Sequence, residues 1–339
     1  MAMSVLNTTN HTNSQGTDGT YFDQSQNSSI QQPTTAISTN VKVGMTLAYA
    51  VIFIVALSGN SLGLFVASKK SLFNSVTNLF IANMAVADLL LTVTAMPFSV
   101  TFFYLRDSWF GGTLGTITCK AMHYAIRVSI AATVLTMTLI SFDRFCVVFY
   151  PLRGKFFRKP RIVSAIIWAL SFILMTPTLL FYKVTVIPRE NAYERVCRGD
   201  AWLSSHSRKI FHICLFCILY AFPLMVMAVL YVLICRKLWP RRIPENVSGK
   251  SRAVVEMSKR KVVRLLIVII IEFALCWFPS YVNHYFLFIQ PEHGHKLLAE
   301  VQYVFFWLAH ANSAINPCLY ILVCFTPAHK FAAVSRSTS

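Results

Sequence analysis

The segment Cys119 to Ser141, CKAMHYAIRVSIAATVLTMTLIS, runs straight into Phe142-Asp143-Arg144-Phe145-Cys146-Val147-Val148-Phe149-Tyr150-Pro151-Leu152, and this junction decides the fold. An apolar stretch of this length suits a membrane-crossing helix, which needs about 20 predominantly apolar residues at about 1.5 Å each. Single charges at the ends of such helices are common. An adjacent acid and base followed by a second apolar run and a proline is a much more specific pattern.

Working outward, the chain has 339 residues, 55% of them hydrophobic and only 13% charged, a balance that excludes an ordinary water-soluble domain. Seven stretches are long and apolar enough to cross a bilayer, at 43–67, 75–100, 117–145, 162–183, 209–235, 262–289 and 300–324. Pro223, Pro279 and Pro317 fall inside three of them, which neighbouring helices and buried water accommodate in a membrane bundle. The expected fold is an all-α membrane protein, a seven-transmembrane-helix bundle spanning 43–324.

Residues 1–42 are polar and lack both the basic and the apolar regions of a signal peptide, so they read as a disordered tail. Asn7, Asn10 and Asn27 begin glycan-acceptor triplets that suit an extracellular segment, whereas Asn246 begins another in a loop expected inside. Charge sets the orientation. Lys69, Lys70, Arg153, Lys155, Arg158, Lys159 and Arg161 line the first two inner loops, and Arg236, Lys237, Arg241, Arg242, Lys250, Arg252, Lys259, Arg260, Lys261 and Arg264 crowd the third. The N-terminus is therefore expected outside the plasma membrane, and residues 325–339 form a short cytoplasmic tail. The net charge of +18 is mostly this topology signal, with anionic inner-leaflet lipids and an acidic partner as counter-charges. Basic residues placed between membrane spans disfavour a nucleic-acid partner.

Of nine cysteines, Cys119 and Cys197 alone fall in the expected outer aqueous regions and make the obvious disulfide pair. The others read as small buried hydrophobes, and no Cys/His set has metal-ligand spacing. Asp88 sits in mid-span, with Asn60 in the first span and Asn312, Ser313 and Asn316 in the seventh as its expected partners. A carboxylate among amide and hydroxyl dipoles makes a site for a small hard cation or a proton, or else a hydrogen-bond hub without an ion.

With these residues in place, the chain resembles the rhodopsin-like G-protein-coupled receptors over essentially all seven spans. The resemblance rests on Gly59-Asn60, Asp88, Cys119, Asp143-Arg144-Phe145, Trp168, Cys197, Pro223 with Tyr231, Cys276-Trp277-Phe278-Pro279, and Asn316-Pro317-Cys318-Leu319-Tyr320, one set per helix in order. It implies that Trp277 is a toggle beneath the ligand, with Phe273, Val134 and Pro223 as a packing switch below it. Asp88, Thr133, Asn312 and Asn316 would line a site for an allosteric sodium ion, the one cofactor expected. Asp143, Arg144, Tyr231, Asn316, Pro317 and Tyr320 would rearrange to admit a heterotrimeric G protein.

Within that family the chain looks most like the peptide branch that holds the neuropeptide FF, orexin, galanin and tachykinin receptors. Ile126 replaces the aspartate that anchors amines, and His310 stands where opsins need a lysine for retinal. The expected ligand contacts are His123, Arg127, Trp277, Tyr281, His284, Gln302, Phe306 and His310. Trp277, Tyr281 and His284 share one helix face, and Gln302, Phe306 and His310 form a second stripe. Arg127 lies about 25 Å from Arg144 along the axis at about 1.5 Å per residue, which places it in the outer half of the membrane. There it would hold a carboxylate, an amide carbonyl or a tyrosine ring of an extracellular peptide, or else snorkel or pair internally. Val184-Thr185-Val186-Ile187 begins a β-hairpin of the kind peptide receptors carry, unless the mixed-charge run 183–209 is simply a solvated loop.

The chain also departs from the family pattern. Glu272 occupies a normally aliphatic position inside the sixth span, where it is expected to face the bundle near Asn316, to be largely protonated at rest because desolvation disfavours the charged form, and to make the switch respond to pH. The sixth helix opens Ser258-Lys259-Arg260-Lys261 without an acid, leaving Asp143 as the main partner for Arg144 and predicting raised basal activity. An eighth, surface-lying helix after Tyr320 and lipidation at Cys324 have little sequence support. A receptor for a lipid or small acidic ligand is the nearest rival. A transporter or channel would show an internal repeat, and an enzyme a nucleophile–base pair or metal motif, neither of which is apparent.

Overall fold

The computed structural model describes residues 38–68, 76–150, 159–189, 192–199, 205–239, 250–286 and 299–325. Its helices are α1 (Thr39–Ser68), α2 (Val76–Leu105), α3 (Gly112–Phe149), α4 (Pro160–Met175), a single turn α5 (Thr178–Phe181), α6 (Ser205–Phe216), α7 (Phe222–Leu238), α8 (Lys250–His284) and α9 (Ala299–Phe325). One two-stranded sheet, β1 (Lys183–Arg189) and β2 (Ala192–Arg198), lies between α5 and α6.

Among the described residues six continuous stretches are long and apolar enough to cross a membrane: Thr39–Ser68, Leu79–Leu105, Gly112–Phe149, Arg161–Phe181, Lys209–Leu238 and Arg260–His284. The seventh span, α9, carries His310, Asn312, Ser313 and Asn316 as buried residues, each bonded through its side chain to another helix. The bundle thus has the seven-helix architecture expected. The helices overrun the apolar windows, α3 starting at Gly112 rather than 117 and α8 at Lys250 rather than 262. Hydropathy sees only the part of a helix that lipid covers, whereas the backbone ladder continues into the headgroup and water layers.

Local sequence explains the interruptions. α4 begins at Pro160, where a missing N–H costs nothing, and breaks at Thr176-Pro177 before α5 restarts. Between α6 and α7 the chain forms a π-helical turn, Cys217–Ala221, immediately before Pro223. The proline ring cannot accept the carbonyl four residues back in a regular helix, and widening the preceding turn relieves that conflict.

The main core joins Phe80, Met84, Met137, Ile140, Ile167, Tyr231, Ile269, Phe273 and Trp277 from five helices. A smaller cluster, including Tyr49, Met96, Phe103 and Ala311, seals α1 and α2 against α9. Large side chains such as Leu47, Phe65, Ile173 and Leu275 point outward on the opposite faces, which is the arrangement lipid requires. Gly59 marks the closest helix approach, because a Cβ there would lie 2.7 Å from the Pro317 ring.

Residues 1–37, with Asn7, Asn10 and Asn27, lie outside the described residues, as do most of the inner loops and everything after Phe325. The tail boundary moves from 42 to 38, where α1 begins one turn early. The proposed eighth helix and the side chains of Tyr320 and Cys324 are likewise outside the described residues.

Candidate functional site

The outer end is tied together in three ways. Cys119 of α3 is bonded to Cys197 of β2, with Cα atoms 5.8 Å apart. The hairpin foreseen at Val184 forms in the register Val184↔Cys197 and Val186↔Arg195. The α2–α3 connection joins it through an isolated bridge: Ser108 pairs with Val196, Trp109 N–H donates to the Arg195 carbonyl at 2.8 Å, and Cys197 N–H donates to the Asp107 carbonyl at 2.9 Å. An Arg198–Asp107 ion pair of 2.6 Å completes the join.

Beneath this rim the expected ligand residues from α3 and α8 come together. Arg127 donates to the Tyr182 hydroxyl at 3.3 Å, and its guanidinium sits 5.3 Å from the Phe211 ring centroid and 6.0 Å from that of Tyr182. Among the described residues no carboxylate pairs with it. His123, one turn outward, stacks on Tyr182 with centroids 3.8 Å apart and meets Phe98 edge-on, leaving its buried Nε2 without a partner. Across the bundle, Tyr281 lies 4.7 Å from Tyr220 and 6.3 Å from Trp277, whose buried Nε1 has no acceptor. His284 Nδ1 bonds the Ser280 carbonyl, and its ring packs against Phe306 and His212.

The α9 stripe divides. Phe306 faces His284, while His310 turns toward α1, where its Nδ1 meets the Tyr49 hydroxyl at 3.1 Å. Gln302 is half-buried near the outer end. Sequence reasoning did not select Tyr182, Phe211, His212 or Tyr220, which come from a connector and the α6 region and reach the site only through space. Asn283 was also missed; it is 1% exposed, with both side-chain polar atoms unpartnered.

Mid-membrane, Asp88 accepts Ser313 Oγ at 2.9 Å on one oxygen and Asn316 Nδ2 at 3.0 Å on the other. Asn60 Nδ2 donates to the carbonyls of Ala56 and Ser313, which fastens α1 to α9 beside the Gly59–Pro317 contact. The side-chain oxygens of Asn60 and Asn316 are buried and unpartnered. Thr133 is buried on α3. Asn312 turns the other way, donating to Glu272 Oε2 on α8 at 2.5 Å, and Cys276 Sγ approaches Glu272 Oε1 at 3.2 Å. Glu272 therefore faces the bundle as expected, but against Asn312 instead of Asn316, whose amide Asp88 already holds. Spare oxygen acceptors around a carboxylate match the coordination chemistry of a small hard cation.

Between the two zones, Trp277 lies 6.0 Å from Phe273, which shares the fully buried core with Val134. Pro223 is buried on α7 near this level, and the Tyr220 hydroxyl donates to the Ala274 carbonyl of α8 at 2.8 Å. At the inner end, Arg144 Nη2 donates to Asp143 Oδ2 at 2.6 Å, and the first turn of α8 has no acid. Tyr231 lines a small cavity with Ser141, Leu266 and Ile270. The inner half of α8 is packed shut, with Val263, Leu266 and Ile269 in the core.

The sequence profile described as "7 transmembrane receptor (rhodopsin family)" matches residues 59–320. Galanin receptor 2a of Danio rerio is 33% identical over 287 residues, 82% of this chain and 74% of that protein. Galanin receptor type 2 of Rattus norvegicus is 35% identical over 285 residues, 82% of this chain and 72% of its own length. Tachykinin-like peptides receptor 86C of Drosophila melanogaster is 31% identical over 287 residues, 81% of this chain and 55% of that receptor. Seven helices, the outer disulfide, the Asp88 cluster and the Asp143–Arg144 pair are thus found together in a chain whose profile match runs from Gly59 to Tyr320, and it belongs to the rhodopsin family of seven-transmembrane receptors.

Proposed function

We propose that this multi-pass plasma-membrane receptor is activated by an extracellular peptide and promotes nucleotide exchange on a heterotrimeric G protein. One observation carries the peptide reading: Arg127 stands in an aromatic and imidazole cage, unmatched by an acid among the described residues, beneath a hairpin pinned as a rim. Galanin and tachykinin-like receptors as relatives support the same ligand class. A cage rich in donors suits a carboxylate, an amide carbonyl or a phenol of a peptide, and the polar residues 1–37 offer further contact length outside.

The mechanism is a shift of population. In the closed arrangement the inner half of α8 covers Tyr231, and Asp143 holds Arg144. A ligand seated on Trp277 and Tyr281 moves the equilibrium only by the difference between its affinities for the closed and open states. Swinging α8 outward at the Pro279 break would free Arg144 and Tyr231 for the G protein, with Pro317 and Tyr320 of α9 following. The basic inner ends of α7 and α8 would rest on anionic lipid headgroups. At Asp88, beside Asn60, Ser313 and Asn316, a sodium ion would stabilise the closed state by adding a charge that the spare amide oxygens can coordinate.

The test is a panel of amidated neuropeptides applied to cells expressing the chain with a promiscuous G protein, alongside acidic lipids. A peptide response lost in Arg144→Ala at normal surface expression supports both halves of the proposal. A response to acidic lipids alone would overturn the peptide half, and a response that survives Arg144→Ala would overturn the coupling role of the Asp143–Arg144 pair.

A further inference from the structure

We propose that Glu272 is the second acid of a two-carboxylate cation site that straddles α9, so that it sets the strength of cation binding at Asp88. The inference rests on the reading that Asp88 holds a cation and adds a residue to it. Both carboxylates are used as acceptors only: Asp88 takes Ser313 Oγ and Asn316 Nδ2, and Glu272 takes Asn312 Nδ2 and the Cys276 thiol. Both oxygens of each carboxyl are thus engaged by neighbouring donor groups, a geometry that suits a negative charge. None of these partners is basic.

Two like charges in a desolvated layer repel, so the arrangement calls for a positive charge that the side chains do not supply. The hydrogen-bond inventory points the same way. Asn60 and Asn316 are each 1% exposed, and in both the buried atom left over is the amide oxygen, an acceptor with nothing to accept from.

Asn312 and Ser313 are neighbours on α9, one bonded to Glu272 and the other to Asp88, so the helix backbone holds the two acids at a fixed separation. A cation between Asp88 and the orphan amide oxygens is attracted by both. Glu272 belongs to α8, the helix that must move, and its charge therefore links cation occupancy to the position of α8.

The experiment measures thermal unfolding of the purified full-length receptor across a sodium chloride series, with choline chloride holding ionic strength constant. The expected results are sodium stabilisation of the wild type, its loss in Asp88→Asn, and a sodium midpoint on the order of tenfold higher in Glu272→Gln, from removal of one interior charge. Glu272→Asp, which keeps the charge, should retain a midpoint near the wild type. Equal midpoints for wild type and Glu272→Gln would overturn this inference while leaving the Asp88 site standing. Absence of a sodium effect in the wild type would overturn the cation reading as a whole. Should Glu272→Gln not fold, a Glu272→Asp midpoint as high as that of an unrelated destabilised variant would count against the charge role.

Discussion

The hydroxyl of Tyr220 donates to the backbone carbonyl of Ala274 at 2.8 Å, and this bond ties the π-turn before Pro223 to α8 just ahead of Pro279. Tyr220 lies in the π-turn ahead of Pro223, and Ala274 lies five residues before Pro279. A widened turn carries the tyrosine toward α8, where its hydroxyl reaches a backbone carbonyl. Tyr220→Phe removes the hydroxyl and keeps the ring against Tyr281 and Phe273. The loss of about 1 kcal/mol from the closed state corresponds to roughly a fivefold change in the closed-to-open ratio. Ligand-free nucleotide exchange in membranes should rise accordingly, and an unchanged basal rate would show that the bond persists through activation.

Gly59 and Pro317 make the tightest contact between α1 and α9. A methyl group on Gly59 would sit 2.7 Å from both Cβ and Cγ of the proline ring, so the helices must part or the ring must shift. Overpacking of this kind costs about 1–3 kcal/mol. Parting the helices would also stretch the Asn60–Ser313 bond of 2.8 Å. Gly59→Ala should lower the unfolding temperature of the purified receptor and reduce surface expression, while Gly63→Ala, where a Cβ meets nothing within 4 Å, should leave both unchanged.

Much of this architecture was legible in the sequence because lipid imposes a simple rule: hydropathy counted the spans, and Cys119 and Cys197 declared the outer end. Helix ends were not legible, since Lys250 and Thr39 continue ladders into water where apolarity no longer reports on them. In the site, spacing placed Trp277, Tyr281 and His284 on one face correctly. It also put His310 on a stripe with Phe306, although Tyr49 of α1 claims that imidazole. Helical spacing fixes direction on one element and says nothing about which neighbour stands opposite. The same limit hid Tyr182 from view and sent Glu272 toward Asn316 when Asn312 was nearer.

The outer rim should respond very unequally to loss of its two cross-links. Arg198 and Asp107 are bonded at 2.6 Å, but the arginine side chain is 40% exposed, so water and salt screen the pair and its removal costs at most about 1 kcal/mol. Cys119–Cys197 closes a loop across 78 residues, and removing such a bridge costs about 2–5 kcal/mol. Asp107→Asn should therefore fold and signal close to wild type. Cys197→Ala, or reduction of intact cells with a membrane-impermeant thiol, should abolish the ligand response, and tolerance of both treatments would show that the backbone bonds to Asp107 and Arg195 suffice.

Arg127 gives the sharpest test of what the receptor binds. Its guanidinium is held by Tyr182 and Phe211 with no acid paired to it among the described residues, which leaves its charge available to a ligand in the outer half. A ligand carboxylate or carbonyl arriving there gains a charge-assisted bond, and truncating one member of a desolvated pair costs about 2–5 kcal/mol. Arg127→Ala should raise the half-maximal concentration of an activating peptide by at least about tenfold at unchanged surface expression. Arg127→Lys keeps the charge but loses the planar stacking on Phe211, and should fall between the two. Unchanged potency in Arg127→Ala would remove the residue from the contact set and leave its role as a brace for Tyr182.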